Sequence, residues 1–219
     1  MTNKNVRENE MRNVTGNGRQ GLRRLLICGI LLSGAAVAPA AIAQSWLAGA
    51  SIGDVKQHSY SVGGPIATTN DSDTGFRVFG GYMFTPWFGG VLSYVDLGSP
   101  NYDGPAFGGF TDKLDADAID LSFIAAISPG DQDTFSTFAT IGVFHFNQDV
   151  HYTDSTGVFN YHDSGTSLSY GIGIQAKFAS IYGVHLGWQR FTNVGDNGNS
   201  GHEYDRDMVE LGFEMHFGK

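Results

Sequence analysis

Apolar and polar residues alternate with a period of two through the last quarter of the chain. In "GTSLSYGIGIQAKF", Thr166, Leu168, Tyr170, Ile172, Ile174, Ala176 and Phe178 share one parity, and Ser167, Ser169, Gly171, Gly173, Gln175 and Lys177 share the other. "YGVHLGWQ" sets Tyr182, Val184, Leu186 and Trp188 against Gly183, His185, Gly187 and Gln189. The closing "RDMVELGFEMHFGK" sets Val209, Leu211, Phe213, Met215 and Phe217 against Glu210, Gly212, Glu214 and His216. Successive side chains of a strand point to opposite faces, so each run predicts a strand with one apolar and one polar face. Weaker alternation predicts strands at Ser45–Val55, Gly75–Phe84, Trp87–Leu97, Leu114–Ile127 and Phe135–Asn147. The total is eight, and no long helical period competes with them after Gln44.

The connections alternate in character. "TP" at Thr85–Pro86, "SPGDQD" at Ser128–Asp133 and "AS" at Ala179–Ser180 are short turns. The stretches Lys56–Thr74, Gly98–Lys113, Gln148–Ser164 and Thr192–Asp207 are long and rich in Gly, Asn, Asp, Ser and His. Short turns at one end and long polar loops at the other describe an all-β, eight-stranded antiparallel up-and-down transmembrane β-barrel. A soluble antiparallel barrel would turn its apolar face inward. Here the large apolar and aromatic groups form the majority face, while the minority face is Gly, Ser and a few ionisable groups, which suits a narrow polar interior. Lipid offers no hydrogen bonds, so such a sheet must close on itself. Aromatic girdles are expected from Trp87, Phe88, Phe178, Tyr182 and Phe217 near the short turns, and from Tyr94, Trp188 and Phe191 toward the loops.

The first 43 residues do not follow this plan. Arg19, Arg23 and Arg24 precede "LLICGILLSGAAVAPAAIAQ", with Ala41 and Ala43 placed for cleavage before Gln44. This is the pattern of a secretory signal peptide, too rich in small residues for a spanning helix of ~20 apolar residues. Translation from Met1 or from Met11 is compatible with it. The expected organisation is a signal over 1–43 and a barrel over 44–219. Cys28, the chain's one cysteine, leaves with the leader, so the barrel forms no disulfide. The remaining segment holds 7 basic and 20 acidic residues, a formal net charge of −13 that disfavours nucleic acid as a partner.

Three stretches carry a resemblance: "FGGYMFTPWFGGVLSYVDLG" at Phe79–Gly98, "VHLGWQRFTNVGD" at Val184–Asp196 and "MVELGFEMHFG" at Met208–Gly218. They resemble the N-terminal transmembrane domain of outer membrane protein A and the wider family of small eight-stranded outer membrane barrels. The resemblance implies the outer membrane of a Gram-negative bacterium, contact with lipid and lipopolysaccharide, a monomer, and insertion by the barrel assembly machinery. It also implies that Glu210, Gly212, Met215 and Phe217 form the terminal-strand signal which that machinery reads. In such barrels a network of charged side chains fills the interior; His185 stands where the family carries an interior Arg, Gln175 where it carries a Glu, and Val91 where it carries another.

Parity and resemblance together place Asp120, Gln175, Lys177, His185, Glu210, Glu214 and His216 in the barrel lumen, with Arg77 beside them. Charges in a narrow lumen must be paired and hydrogen-bonded or they cost several kcal/mol. Structural pairing that plugs the lumen is the first expectation, and a narrow, low-conductance channel with a charged lumen is the alternative. Catalysis would need a positioned nucleophile and base, and no such motif is present. His151, Asp154, His162 and Asp163 match no closed metal site, and Asp196–Asp205 lacks the Glu that would complete a calcium loop. The sequence therefore points to no cofactor and no turnover. It points to an outer membrane protein of envelope integrity and loop display, able to engage a host or cell-surface ligand through its loops.

Overall fold

The computed structural model describes residues 45–58, 71–104, 110–128, 134–154, 157–178, 181–195 and 204–218. The signal segment expected over 1–43, the cleavage position expected before Gln44, most of 196–205 and the Asp154 side chain lie outside the described residues. Every regular element described is a strand: β1 Ser45–His58, β2 Ser72–Thr85, β3 Phe88–Asp96, β4 Asn101–Gly104, β5 Phe110–Ile127, β6 Phe135–Asp154, β7 Gly157–Phe178, β8 Tyr182–Val194 and β9 Tyr204–Phe217. Neighbours run β3-β2-β1-β9-β8-β7-β6-β5-β4, and a β3–β5 pairing closes the sheet. All pairings are antiparallel. The first and last strands meet along a seam from Trp46↔Phe217 to His58↔Asp205.

Nine segments make eight staves, because β3 and β4 are one stave interrupted at Leu97–Pro100. Both pair with β5, at Asp96↔Asp117 and at Asn101↔Lys113. The interruption has a local cause. Gly98 takes a φ of 70°, which favours glycine, and Pro100 has no N–H to donate. The break stays on the sheet through Leu97 N–H to Ala116 O at 2.9 Å and Ala116 N–H to Gly98 O at 3.3 Å. Asp73 accepts the Ser99 N–H at 2.7 Å and Asp96 accepts that of Gly98 at 2.9 Å.

The strands alternate between the two faces of the closed sheet. Ile172 and Leu186 are 62% and 49% exposed on the outside, whereas Gln175 and His185 are 8% and 6% exposed within. Ile52, Leu121, Phe123, Ile141, Ile174 and Leu211 extend the outer face into an apolar band around the barrel. An exposed apolar surface of this extent marks a lipid interface. From Val209 to Phe217, β9 carries the band for nine residues. At about 3.3 Å per residue and a tilt near 40°, this is roughly 23 Å, close to the ~25 Å apolar band of outer membrane barrels.

Aromatic rings bound the band. Near the short turns they run in contact from Trp46 to Tyr82, Phe84, Phe88 and Phe123, the last two stacked, with Phe178, Tyr182 and Phe213 grouped further round. Toward the loops Tyr170 packs on Trp188. Arg190 lies over the Trp188 ring and forms a bidentate pair with Asp207, at 2.6 and 2.7 Å. The loop-side girdle differs from expectation at two positions. Phe191 is fully buried in the lumen, and Tyr94, although on the outer parity, is covered to 2% exposure beside Phe76.

All four stretches expected as long loops overlap strand, and in two of them the overlap is extensive. β6 and β7 pair from Phe135↔Ala176 out to Asp154↔Gly157, so most of Gln148–Ser164 is a two-stranded ribbon. Gly98–Lys113 likewise holds β4 and the start of β5. The last β7–β8 pair is Ser169↔Phe191, and β7 continues for twelve residues beyond it. With β4, β5 and β6 it forms a sheet that rises on the order of 35 Å along the strand from the barrel's loop end.

The inside-out assignment has a direct test. Ile172→Arg or Leu186→Arg should cost about 2–4 kcal/mol in lipid vesicles, since lipid-facing cations near the midplane are penalised by that amount. Gln175→Asn should cost about 1 kcal/mol, the scale of one hydrogen bond. Urea unfolding followed by tryptophan fluorescence measures all three, and equal penalties on both faces would contradict the assignment.

Candidate functional site

Glycine and serine on the inward parity of β1, β7, β8 and β9 leave a lumen wide enough for longer side chains from their neighbours. All seven residues expected in the lumen sit on its wall, and Arg77 joins them. They occupy two levels. At mid-barrel Arg77 Nη1 donates to Gln189 Oε1 at 2.7 Å and to Glu210 Oε1 at 3.1 Å. The second Glu210 oxygen accepts the Ser51 hydroxyl. Asp120, at 0% exposure, has no cation within ion-pair distance among the described residues and accepts instead from Ser93, Ser122, Ser169 and the Gln189 amide. Gln189 thus links the two carboxylates, accepting from Arg77 and donating to Asp120. Four donors around one carboxylate supply the hydrogen bonds that its burial would otherwise forfeit.

Nearer the short turns, His185 stands 3.9 Å from Glu210 and 3.6 Å from Glu214. The rings of Phe79 and Phe138 meet its imidazole edge-on. Glu214 is 2.9 Å from His216, His216 is 3.2 Å from the Gln175 amide, and Gln175 accepts the Ser136 hydroxyl at 2.9 Å. Gly212 belongs to this level. It lies beside His185 on the lumen wall, and a Cβ there would overlap the imidazole. The glycine of the terminal-strand pattern therefore has a packing role of its own.

Above mid-barrel the lumen is mainly apolar, with Gln57, Gln148 and Arg206 buried among its side chains. Val55, Val95, Leu97, Ala118, Phe144, Phe146, Phe191 and Met208 converge in an apolar cluster, each 2% exposed or less. Phe144 meets Phe191 at a ring separation of 5.2 Å in a T-shaped contact. Expectation of a polar interior throughout is corrected here: the loop-side half is a packed hydrophobic plug. Signal for it exists in "FATIGVFHF", where Phe138, Phe144 and Phe146 fall on the inward parity while Ile141 and Val143 fall on the outward one.

Arg206 closes the plug. It is fully buried, and its guanidinium donates to Leu97 O at 3.0 Å, Gly98 O at 3.4 Å and Leu114 O at 3.4 Å. Two of these carbonyls belong to the interrupted stave. Leu97 O takes the cation as its partner, and Gly98 O accepts from both the cation and Ala116 N–H. Arg206 shares the parity of Met208 and Glu210, so its inward position was readable, but its partners were not.

The loop-side sheet presents two different surfaces. On its outer face His162 hydrogen-bonds Asp149 at 2.9 Å and His151 hydrogen-bonds Asn160 at 2.6 Å, each across the β6–β7 pairing. On its other face Phe159 and Tyr161 are 42% and 47% exposed. Asp163 is buried on that second face, so it does not converge with His162. Among the described residues no group of three or more His, Asp or Glu side chains is arranged to hold a metal ion.

A family model described as the OmpA-like transmembrane domain matches residues 41–219. Outer membrane protein A of Klebsiella pneumoniae is 27% identical over 183 residues, covering 80% of this chain and 52% of that protein. Its counterpart in Escherichia coli O157:H7 is 27% identical over 175 residues, covering 80% and 48%. The chain thus spans about half the length of the curated relatives it matches. Among solved structures, Neisserial surface protein A is similar at a TM-score of 0.50 and 14% identity, over 78% of this chain and 97% of that one. The attachment invasion locus protein of Yersinia pestis is similar at 0.50 and 15%, over 80% and 98%. These two likenesses concern the fold.

Two substitutions probe the lumen. Arg206→Met should destabilise the barrel by roughly 1–3 kcal/mol, the cost of leaving buried acceptors unpaired. Gly212→Ala should cost about 1–3 kcal/mol by forcing the His185 ring aside, and removing that ring in a paired His185→Ala variant should recover most of it. Denaturant midpoints of the single and double variants check both, and additive effects at Gly212 and His185 would contradict the contact.

Proposed function

This chain belongs to the OmpA-like transmembrane domain family and lies in the bacterial outer membrane, and from that premise we propose that it is a non-conducting barrel of envelope structure and surface display. The observation that carries this reading is the apolar plug. Phe144, Phe146, Phe191 and Met208, each 2% exposed or less, fill the loop-side half of the lumen, and an ion crossing close apolar packing forfeits its hydration at high cost. The paired charges below it serve the barrel's cohesion. The channel alternative would require Arg206, Met208 and the aromatic rings to move together.

Display is the complementary role. The sheet of β4 to β7 stands clear of the membrane band and offers an aromatic face and a His/Asp face, chemistry suited to a host or cell-surface ligand. Like barrels serve such roles: the Yersinia pestis neighbour is named for attachment and invasion. The barrel works as a monomer among lipid and lipopolysaccharide, without catalytic turnover. We further propose that export removes residues 1–43, because Gln44 directly precedes the first residue of β1 and cleavage there leaves that strand whole. The assembly machinery would then read Glu210, Gly212, Met215 and Phe217 on β9, the strand that seals the seam.

Planar-bilayer recording of the refolded barrel should give no unitary current above baseline. A Phe144→Ala, Phe191→Ala double variant should give small openings if the rings are the barrier. Regular openings of the unmodified protein, altered by substitutions at Glu210 or His185, would favour the channel. For assembly, Phe217→Asp should reduce membrane-inserted protein at least several-fold, read as loss of heat-modifiable gel mobility; unchanged levels would remove Phe217 from the signal.

A further inference from the structure

Below the Arg77–Glu210 pair the lumen is not filled. A cavity of about 480 Å³ extends from that pair down to Ser128 and Gly218 at the short-turn rim. Cavities of roughly 300–1,000 Å³ with mixed walls are the usual form of small-molecule sites. The walls here differ sharply. Leu47, Phe79, Met83 and Val91 form a buried apolar cluster on β1, β2 and β3, with Ile124 packed against it. Gln175 and Lys177 face that cluster from β7, and Glu214 and His216 line the cavity from β9, the strand beside β1, where His216 pairs with Leu47.

The charges on the polar side are unequally served. Glu210 is held by Arg77 and Ser51, and Glu214 lies against His216 and His185. Lys177 is half-buried at the mouth, and no carboxylate among the described residues lies within 4.0 Å of its ammonium. His185 Nδ1, deeper in the same cavity, is buried without a hydrogen bond. A half-buried ammonium beside an apolar wall attracts an anion that brings an apolar body with it.

We propose that this cavity binds a small amphipathic monoanion of the medium-chain carboxylate class, its head on Lys177 and its chain along Leu47, Phe79, Met83 and Val91. Four residues of β9 separate Glu214 from Glu210 at the cavity's inner end, on the order of 13 Å along the strand, which accommodates a chain of roughly eight carbons. The plug makes the site blind, so the ligand enters and leaves at the short-turn end. A two-chain phospholipid exceeds the volume.

The test uses the 44–219 barrel in phosphatidylcholine nanodiscs with methyl-labelled Met and Ile, titrated with octanoate and, separately, with octan-1-ol. Octanoate should shift the Met83 and Ile124 methyls saturably, while the lipid-facing Ile172 methyl shifts only linearly as octanoate enters the bilayer. Octan-1-ol should bind at least tenfold more weakly. Lys177→Gln should weaken octanoate at least tenfold and leave octan-1-ol unchanged. Ala126→Trp, which fills the mouth, should abolish both saturable shifts; gel mobility reports whether that variant is folded, and the Lys177→Gln comparison decides alone if it is not. Absence of saturation at Met83 and Ile124, or equal affinity for acid and alcohol, or an unaffected Lys177→Gln variant, would overturn the proposal.

Discussion

Backbone hydrogen bonding in a medium without water is the constraint on which this structure depends. Each N–H and C=O within the membrane must find a partner in the sheet, and only closure gives the first and last strands theirs. The β1–β9 seam supplies it through thirteen paired positions from Trp46↔Phe217 to His58↔Asp205. Closure then assigns the side chains. Outer positions meet lipid and are apolar without cost, while inner positions meet one another across a lumen too narrow for bulk water.

That confinement explains the stratified interior. Polar groups persist where enough donors converge to satisfy them, as around Asp120, or where a cation and a carboxylate meet, as at Arg77 and Glu210. Elsewhere rings and aliphatic groups fill the space. The interrupted stave shows the same rule at a defect. Gly98 and Pro100 break the regular ladder, and Arg206 reaches across the lumen to the Leu97 and Gly98 carbonyls, the second of which Ala116 N–H also serves. A buried arginine is costly in isolation, but here backbone carbonyls supply acceptors for its guanidinium.

The barrel was legible because period-two alternation is a local signal and the lipid face is its strongest form. Ile172, Leu186 and Leu211 could be placed outside from their own neighbours in sequence. The loop-side sheet was not legible for a matching reason: above the membrane no face needs to be apolar, so "QDVHYTDSTGVFNYHDS" carries polar residues on both parities and reads as loop. Its pairing comes from continuation of the β6–β7 register. The plug was half legible. Phe144 and Phe146 sit on the inward parity, yet Phe191 fits a girdle position equally well by sequence, because an aromatic near the membrane edge serves either side. The partners of Arg206 depend on three carbonyls from distant strands, which parity does not specify.

A lumen sealed at the loop side and open at the short-turn side is the central claim, and side-specific thiol labelling tests it most directly. Residues 44–219 contain no cysteine, so single substitutions report without background. Ala126→Cys at the cavity mouth and Ala118→Cys within the plug should be made in the barrel inserted unidirectionally in vesicles, and treated with a membrane-impermeant maleimide. The account predicts rapid labelling at position 126 from the short-turn side alone, and protection at position 118 from both sides until the protein is unfolded. Labelling of position 118 from the loop side in the folded barrel would contradict it.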